Sequence, residues 1–153
     1  KIFNVYEDVA NSSFLEKDQD SAWYKKTKES YIRERNQLKF NEKKKEVEVI
    51  TLDSFCKKNY IDNIDLLKID AQGYEEFVLE GSQNLLKENK IKRLRIKMTF
   101  SDKYSKRHNF FDIEKHLHIN NYKLIGISNF GSTIENANFY CNVFYALKNL
   151  NFK

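Results

Sequence analysis

The amino-acid sequence predicts an α/β fold, with a mostly parallel sheet whose last strand is antiparallel. Three observations favour this fold class in the 153-residue chain. Short apolar runs that suit buried strands alternate with segments whose apolar residues recur at helical spacing. The last two predicted strands, over 122–127 and 139–147, are joined only by a loop, which favours an antiparallel pair at the end of the sheet. No repeat, proline-rich linker or low-complexity tract divides the sequence, so we expect one domain over 1–153.

In the first half of the chain, two predicted strands flank a long polar stretch. Residues 14–45 are rich in Lys, Glu, Gln and Ser and keep no period of 2 or 3.6, so we predict an irregular excursion there. We interpret its run Lys43-Lys44-Lys45 as a solvated approach to the next strand. The elements predicted here are a strand over 2–9, a helical piece over 25–37, a half-exposed strand over 46–52, and a short helix, capped by Asp53 or Ser54, that ends at Lys58.

The second half of the chain has the pattern of a layered sheet. Leu66, Leu67 and Ile69 form a compact apolar run that suits a parallel strand covered on both faces. From Tyr74 the apolar residues change to helical spacing. The elements predicted here are a strand over 64–70, a helix from Tyr74 to about Asn89, a strand over 91–100, a helix over 110–121 with Phe110, Ile113 and Leu117 inward and Phe111 and Ile119 as further inward candidates, and the two closing strands.

Composition and charge restrict the classes of protein to consider. The 41% hydrophobic content is enough for a core, and no apolar run approaches the roughly 18 residues of a membrane span. Cys56 and Cys141 are far apart and match no metal-binding spacing, so we expect buried thiols and a reducing, cytoplasmic location. The net charge of +5 suits an anionic partner without requiring one.

The stretch over 66–81 places a carboxylate where open α/β sheets bind their ligands. Asp70 ends the predicted strand, and Gly73 follows with the backbone freedom that a sharp turn needs. A carboxylate beside an acceptor hydroxyl can orient that hydroxyl or remove its proton, which makes Asp70 a candidate catalytic residue. The alternative is that Asp70 only caps the following helix or pairs with Lys68.

Three blocks of the sequence resemble the FkbM-type methyltransferase family, in the same order and at the same spacing. They read VITLDSF at 49–55, DLLKIDAQGYE at 65–75 and VLEGS at 78–82. The resemblance implies a Rossmann-like class I methyltransferase fold, S-adenosyl-L-methionine as methyl donor, and O-methylation of a hydroxyl on a sugar, glycan or small natural product. In such enzymes a glycine-rich turn after the first strand binds the donor, and Gly73 is the first glycine here. We therefore expect the carboxyl-terminal part of the family's domain, incomplete at the amino terminus.

The resemblance also assigns roles within the second block. It places Asp70, Gln72 and Gly73 at the donor and Glu75 at the acceptor, with most of the donor site outside this chain. Independently, the loop over 101–109 follows a predicted strand end and is rich in basic residues, which suits an anionic acceptor such as a phosphosugar or acidic glycan. A simple solvated loop is the alternative. The acceptor candidates in this loop are Lys103, Tyr104 and Arg107.

Three positions depart from the pattern of the family. Gln72, Lys97 and Asn142 stand where its members often have an acid. Two other classes therefore stay open: a non-catalytic domain that binds acidic glycan, and a basic nucleic-acid-binding module, although no nucleic-acid signature accompanies the charge. No metal site is predicted, since His116 and His118 are two apart in a helical pattern and point in different directions.

Overall fold

The structure of the chain is a computed structural model that describes residues 1–7, 9–35, 42–105, 109–131, 133–134, 137–138 and 140–150. Arg107, one of the predicted acceptor residues, lies outside the described residues. In chain order the elements are β1 (Ile2–Tyr6), a 3-10 turn (Val9–Asn11), α1 (Ala22–Arg35), β2 (Glu42–Glu46), α2 (Leu52–Lys58), β3 (Leu67–Ile69), α3 (Glu75–Glu80), α4 (Gln83–Lys87), β4 (Arg93–Thr99), α5 (Phe110–His118), β5 (Tyr122–Ser128), β6 (Thr133–Ile134), β7 (Ala137–Asn138) and β8 (Tyr140–Leu147).

The main sheet has four strands in the order β3-β4-β8-β5. β3 and β4 are parallel, and Leu67 and Ile69 lie opposite Leu94 and Ile96. β8 is antiparallel to both of its neighbours, β4 and β5. The expectation of a mostly parallel sheet is therefore not confirmed, because β8 lies between β4 and β5 and makes two of the three pairings antiparallel. The fold is a mixed α/β fold.

Burial explains why β8 lies inside the sheet. Six of its eight residues are buried, on both faces of the strand, whereas β5 exposes most of its residues at the edge. At the opposite edge, Leu66 is exposed and Lys68 points to solvent, so β3 is not covered on both faces as its sequence predicted. A strand that is apolar on both faces gains most from a central position, since each fully buried aliphatic side chain contributes about 1.5–3 kcal/mol.

The hydrophobic core lies between the sheet and the helices that follow β3 and β4. From the sheet it takes the alternating side chains of β4, Leu94, Ile96 and Met98, as the sequence predicted. The helical contributions come from α2, α3, α4 and α5. Both cysteines are free and buried, which confirms the prediction for the thiols. None of the helices in the described part of the chain has the length and apolar character needed to cross a membrane.

The helix predicted from Tyr74 to about Asn89 is two helices, α3 and α4, separated at Gly81 and Ser82. The carboxylate of Asp53 accepts hydrogen bonds from the main-chain N–H groups of Asn84 and Leu85 at 2.9 and 3.1 Å, and so stabilises the start of α4. α2 has Thr51 as its N-cap instead of the predicted Asp53 or Ser54. The prediction of one continuous helix over 74–89 was wrong because Asp53, which stabilises the start of α4, lies about 30 positions earlier in the chain. Helical periodicity does not reveal such a distant contact.

The polar excursion is more regular than its sequence predicted. It contains the 14-residue helix α1, which starts three residues before the predicted helical piece. Lys43-Lys44-Lys45 lie exposed within β2 and pair antiparallel with β1 in a separate two-stranded sheet. The half-exposed strand predicted over 46–52 is wrong, since residues 47–50 form no strand. The strand forms instead at Glu42–Glu46, because the backbone there pairs with β1. The side chains of the predicted segment over 46–52 alternate more regularly, but its residues 47–50 lack this strand pairing.

Within α5, two of the predicted inward positions are wrong. Ile113 and Leu117 are buried, and Phe110 is partly buried against the core. Phe111 and Ile119 are exposed, because α5 contacts the rest of the molecule along one stripe only.

Candidate functional site

Asp70 follows directly after β3, at the carboxyl end of the strand. Its Oδ1 atom lies 3.2 Å from Nζ of Lys97 on the neighbouring strand β4, whereas Nζ of Lys68 is 4.0 Å from Oδ2. The side-chain amide of Gln72 donates a hydrogen bond to Oδ1 at 3.3 Å. The N-cap of α3 is Tyr74, so Asp70 does not cap that helix. Its side chain is 33% exposed, and a ligand can therefore reach the carboxylate.

The turn after Asp70 depends on two consecutive residues with left-handed backbone angles. Gln72 has a φ of 53° and Gly73 a φ of 91°. A Cβ atom on Gly73 would lie 3.0 Å from Cδ2 of Tyr104 and 3.1 Å from Cδ1 of Leu15. Glycine is needed here on both counts, since the backbone angle disfavours a side chain and the tyrosine ring occupies its space.

Glu75 lies beneath this turn and supports it. Its side chain is buried, and Oε1 accepts a hydrogen bond from the main-chain N–H of Ala71 at 2.9 Å. Burial raises the pKa of the Glu75 carboxyl, and the neighbouring charge of Asp70 acts in the same direction, while main-chain N–H groups of the turn, including that of Gly73, oppose the shift. The predicted acceptor residue thus faces the main chain of the turn.

A cavity of about 270 Å³ opens beside this turn, and we call it the strand-end cleft. The residues that line it come from this turn, from β4 and the loop that follows it, from β8, from α1 and from the 3-10 turn. Its lining residues are Asn11, Trp23, Gln72, Lys97, Thr99, Ser101, Lys103 and Tyr140. The described part of the chain also has larger depressions, of about 480 Å³ between α2 and α4, 560 Å³ between α3 and the segment before α2, and 580 Å³ along residues 46–51. None of these three includes residues 70–73.

The predicted acceptor residues Lys103 and Tyr104 are buried, so the loop after β4 is not the simple solvated loop of the alternative interpretation. The hydroxyl of Tyr104 donates to the carbonyl of Asn11 at 2.9 Å and lies 3.3 Å from Oε1 of Gln72. Nζ of Lys103 donates to Oδ1 of Asn11 and lies 3.4 Å from the same Gln72 oxygen. Gln72 therefore connects Asp70, through its amide nitrogen, with Lys103 and Tyr104, through its oxygen.

Two aromatic rings complete the cleft beside its ammonium groups. Nζ of Lys103 lies 4.8 Å from the ring centroid of Trp23, and Nζ of Lys97 lies 5.1 Å from that of Tyr140. Sequence reasoning did not place either ring at the site. Trp23 is the only tryptophan of the chain and lies in a polar stretch, and these two features could have indicated it as a binding residue. No local signal distinguishes Tyr140.

The charge of the cleft and the packing around Gly73 indicate which kind of ligand the cleft suits. Among the described residues, Lys97 and Lys103 bring two ammonium groups to the cleft beside the carboxylate of Asp70, so the cleft favours a ligand with an anionic substituent. The bare backbone of Gly73, which a donor would have to approach, is covered by Tyr104 and Leu15. The assignment of Asp70, Gln72 and Gly73 to the donor stays a prediction, and the cleft itself suits an anionic ligand.

The fold is a mixed α/β fold with a carboxylate at the carboxyl end of a strand, which is the edge where open α/β sheets bind their ligands. The sequence model of the Methyltransferase FkbM domain matches residues 3–124, which is more than half of the chain. The chain belongs to this family, and the resemblance seen in the three sequence blocks is confirmed. No curated protein and no solved structure shows a significant match. The matched range contains Asp70, Lys97 and Lys103 but ends within β5, before Tyr140.

Proposed function

We propose that the chain is part of an S-adenosylmethionine-dependent O-methyltransferase and that the strand-end cleft binds the acceptor. The acceptor is a hydroxyl on an anionic sugar, glycan or small natural product. The observation that carries this proposal is the contact of Asp70 with Lys97 beside a cleft that also contains Lys103. A carboxylate next to two ammonium groups can receive a hydroxyl while the cations hold a nearby anionic substituent.

Each group at the cleft has a distinct role in this proposal. Asp70 accepts a hydrogen bond from the acceptor hydroxyl, orients its oxygen and takes its proton as the new bond forms. Lys97 and Lys103 bind the phosphate or carboxylate of the acceptor. The rings of Trp23 and Tyr140 offer apolar faces to the sugar. Bound donor supplies an electrophilic methyl group to the acceptor oxygen.

Two further residues hold this geometry through their contacts within the protein. Gln72 bridges the carboxylate of Asp70 and the buried pair Lys103 and Tyr104, so the turn and the loop after β4 keep a common position. Glu75 binds the main chain beneath the turn. We assign these two residues a positioning role, which agrees with their contacts within the protein.

The strand order supports the Rossmann-like part of the proposal. β3, β4 and β5 run in one direction, and β8 enters between β4 and β5 in the opposite direction. A final antiparallel strand is what the resemblance implies for class I methyltransferases. The four glycines, at 73, 81, 126 and 131, do not form a glycine-rich turn. We therefore assign the main contacts of the donor to residues outside this chain.

The test uses the full-length gene product that carries this chain. Calorimetry with S-adenosylhomocysteine reports donor-site binding, and transfer of a labelled methyl group reports activity on matched sugars with and without a phosphate or carboxylate. We expect binding of the donor product and methyl ethers on the anionic acceptors. Absence of both would contradict the proposal, and equal transfer to the neutral sugars would contradict the part that concerns the cationic cleft.

A second candidate function has one observation in its favour. Because Lys97 already engages the carboxylate of Asp70, the same cleft suits a non-catalytic domain that binds acidic glycan. Calorimetry separates the two candidates. Binding of an acidic oligosaccharide by a full-length protein that does not bind S-adenosylhomocysteine would favour the glycan-binding function.

A further inference from the structure

Three potential metal ligands meet where α3 packs against α5, away from the residues that line the strand-end cleft. Glu76 and Glu80 are one turn apart on α3, and His116 is on α5. One ligand atom of each residue lies within 4.8 Å of the other two. Nε2 of His116 is 3.1 Å from Oε1 of Glu76, and these two side chains are only 16% and 14% exposed. Glu80 is exposed, so the cluster is open to solvent on one side.

The spacing of the ligand atoms suits a transition-metal ion. Two atoms that each lie about 2.1 Å from a zinc ion are about 3.0–3.5 Å apart. The 3.1 Å between the ligand atoms of His116 and Glu76 falls in this range. Zinc sites that are not purely structural often have three protein ligands and leave one position to water. Two carboxylates and one imidazole, with one side open, match that donor set.

The imidazole of His116 is held from the side that faces away from Glu76. The side-chain amide of Gln83 lies 3.1 Å from Nδ1 of the ring, and its nitrogen also donates to the carbonyl of Leu79 at 3.0 Å. The Gln83 amide nitrogen faces Nδ1, so the ring proton lies on Nε2 and is shared with Glu76, and a metal that binds Nε2 displaces this proton. The contact with Gln83 fixes the orientation of the ring between α3 and α5.

Burial and neighbouring charges act on the residues of this cluster. Burial lowers the pKa of His116, although the neighbouring carboxylates of Glu80 and Asp112 act in the opposite direction. A divalent cation would also offset the repulsion between the two glutamates of the cluster.

We propose that Glu76, Glu80 and His116 bind a divalent transition-metal ion, with Zn²⁺ as the probe of choice, and that the ion ties α3 to α5. α3 begins directly after the turn that follows Asp70, so a metal at this position stabilises the helix that supports the turn. The two histidines that the sequence analysis considered do not share a site. The cluster combines residues 40 positions apart, which sequence spacing does not reveal.

Titration of the chelator-treated protein with Zn²⁺ tests the proposal by calorimetry and by thermal unfolding. We expect one ion per chain and a rise in melting temperature. Glu80→Gln and His116→Gln should each weaken binding by at least about tenfold and remove the rise in melting temperature. His118→Gln is the matched control, since His118 lies on the same helix, is exposed and stands outside the cluster.

Glu80→Gln keeps the test independent of folding, because the side chain is exposed and its replacement leaves the contact of His116 with Glu76 in place. Circular dichroism of the metal-free variants verifies that they are folded. Zn²⁺ affinity that is the same in both variants as in the unaltered protein would overturn the proposal. Failure of the unaltered, folded protein to bind Zn²⁺ would overturn it as well.

Discussion

Nζ of Lys97 lies 3.2 Å from Oδ1 of Asp70, and this contact joins two adjacent parallel strands at their carboxyl ends. The register makes the contact, because Lys68 and Ile69 of β3 lie opposite Arg95 and Ile96 of β4. Asp70 directly follows Ile69 and Lys97 directly follows Ile96, so the two charged residues lie side by side. A partly exposed ion pair of this kind contributes only about 0–1 kcal/mol to stability. The ion pair mainly orients the carboxylate of Asp70 and places the positive charge of Lys97 beside it.

We expect Asp70→Asn to lower turnover of the full-length enzyme by about 10²–10⁴-fold, because the amide cannot take the proton of the acceptor hydroxyl. The melting temperature should stay the same, since the side chain is partly exposed. Asp65→Asn is the control: Asp65 is an exposed carboxylate paired with Lys92 at 2.6 Å, outside the cleft. Steady-state methyl transfer measures the effect, and unchanged turnover would remove Asp70 from the mechanism.

Lys97→Met should raise KM for an anionic acceptor by about 10–100-fold, the loss expected for one hydrogen bond to a charged group. KM for a neutral acceptor should change little, and this split distinguishes acceptor binding from a general loss of structure. Lys92→Met serves as the control, because Lys92 is an exposed lysine that also pairs with an aspartate. If KM for the anionic acceptor is unaffected, Lys97 does not bind it.

Gly73→Ala should lower the free energy of unfolding by about 1–3 kcal/mol, because the φ of 91° is strained for alanine and its Cβ would crowd Tyr104 and Leu15. Gly81→Ala should have a much smaller effect. At Gly81 the φ is −74°, and the nearest atom to an added Cβ is 3.4 Å away. Urea denaturation compares the two variants, and equal losses would contradict the role given to the turn.

Leu117→Ala and Phe111→Ala compare two positions of the same helix. Leu117 is fully buried, and its truncation should cost about 2–5 kcal/mol through lost contacts and the cavity left behind. Phe111 is 77% exposed, so its truncation should change stability by less than about 0.5 kcal/mol. Thermal or urea unfolding gives both values. A large loss for Phe111→Ala would mean that this face of α5 is covered in solution.

The raised pKa of Glu75 predicts a specific pH dependence of stability. Between its ordinary value of 4.5 and the raised folded value, the folded protein keeps a proton that the unfolded chain releases. The contribution of Glu75 is therefore full at low pH and is lost as the pH rises through this window. Glu75→Gln removes that dependence, so the stability of the variant relative to the unaltered protein should increase with pH across the window.

Urea denaturation of both proteins at several pH values measures this difference. Any constant offset that the amide introduces cancels, because only the change with pH is compared. A relative stability that does not vary with pH would show that burial of the Glu75 carboxyl does not affect its ionisation.

The sequence by itself determined the local features of this protein. The alternation of Leu94, Ile96 and Met98 predicted the buried face of β4, and the helical spacing of Ile113 and Leu117 predicted the inward side of α5. The acid and glycine after the apolar run located the turn at the strand end, and the three blocks identified the family. These features follow from contacts between residues two to four positions apart, which a linear pattern records.

Only the tertiary structure decided which distant residues meet. It placed β8 between β4 and β5, brought Lys97 beside Asp70, and buried Lys103 and Tyr104 against the turn. It also placed His116 of α5 against Glu76 of α3. Each of these contacts depends on strand register or helix packing between residues 14 or more positions apart in the chain. Local spacing carries no record of such pairings, because they form only when separate elements bury their apolar faces against one another.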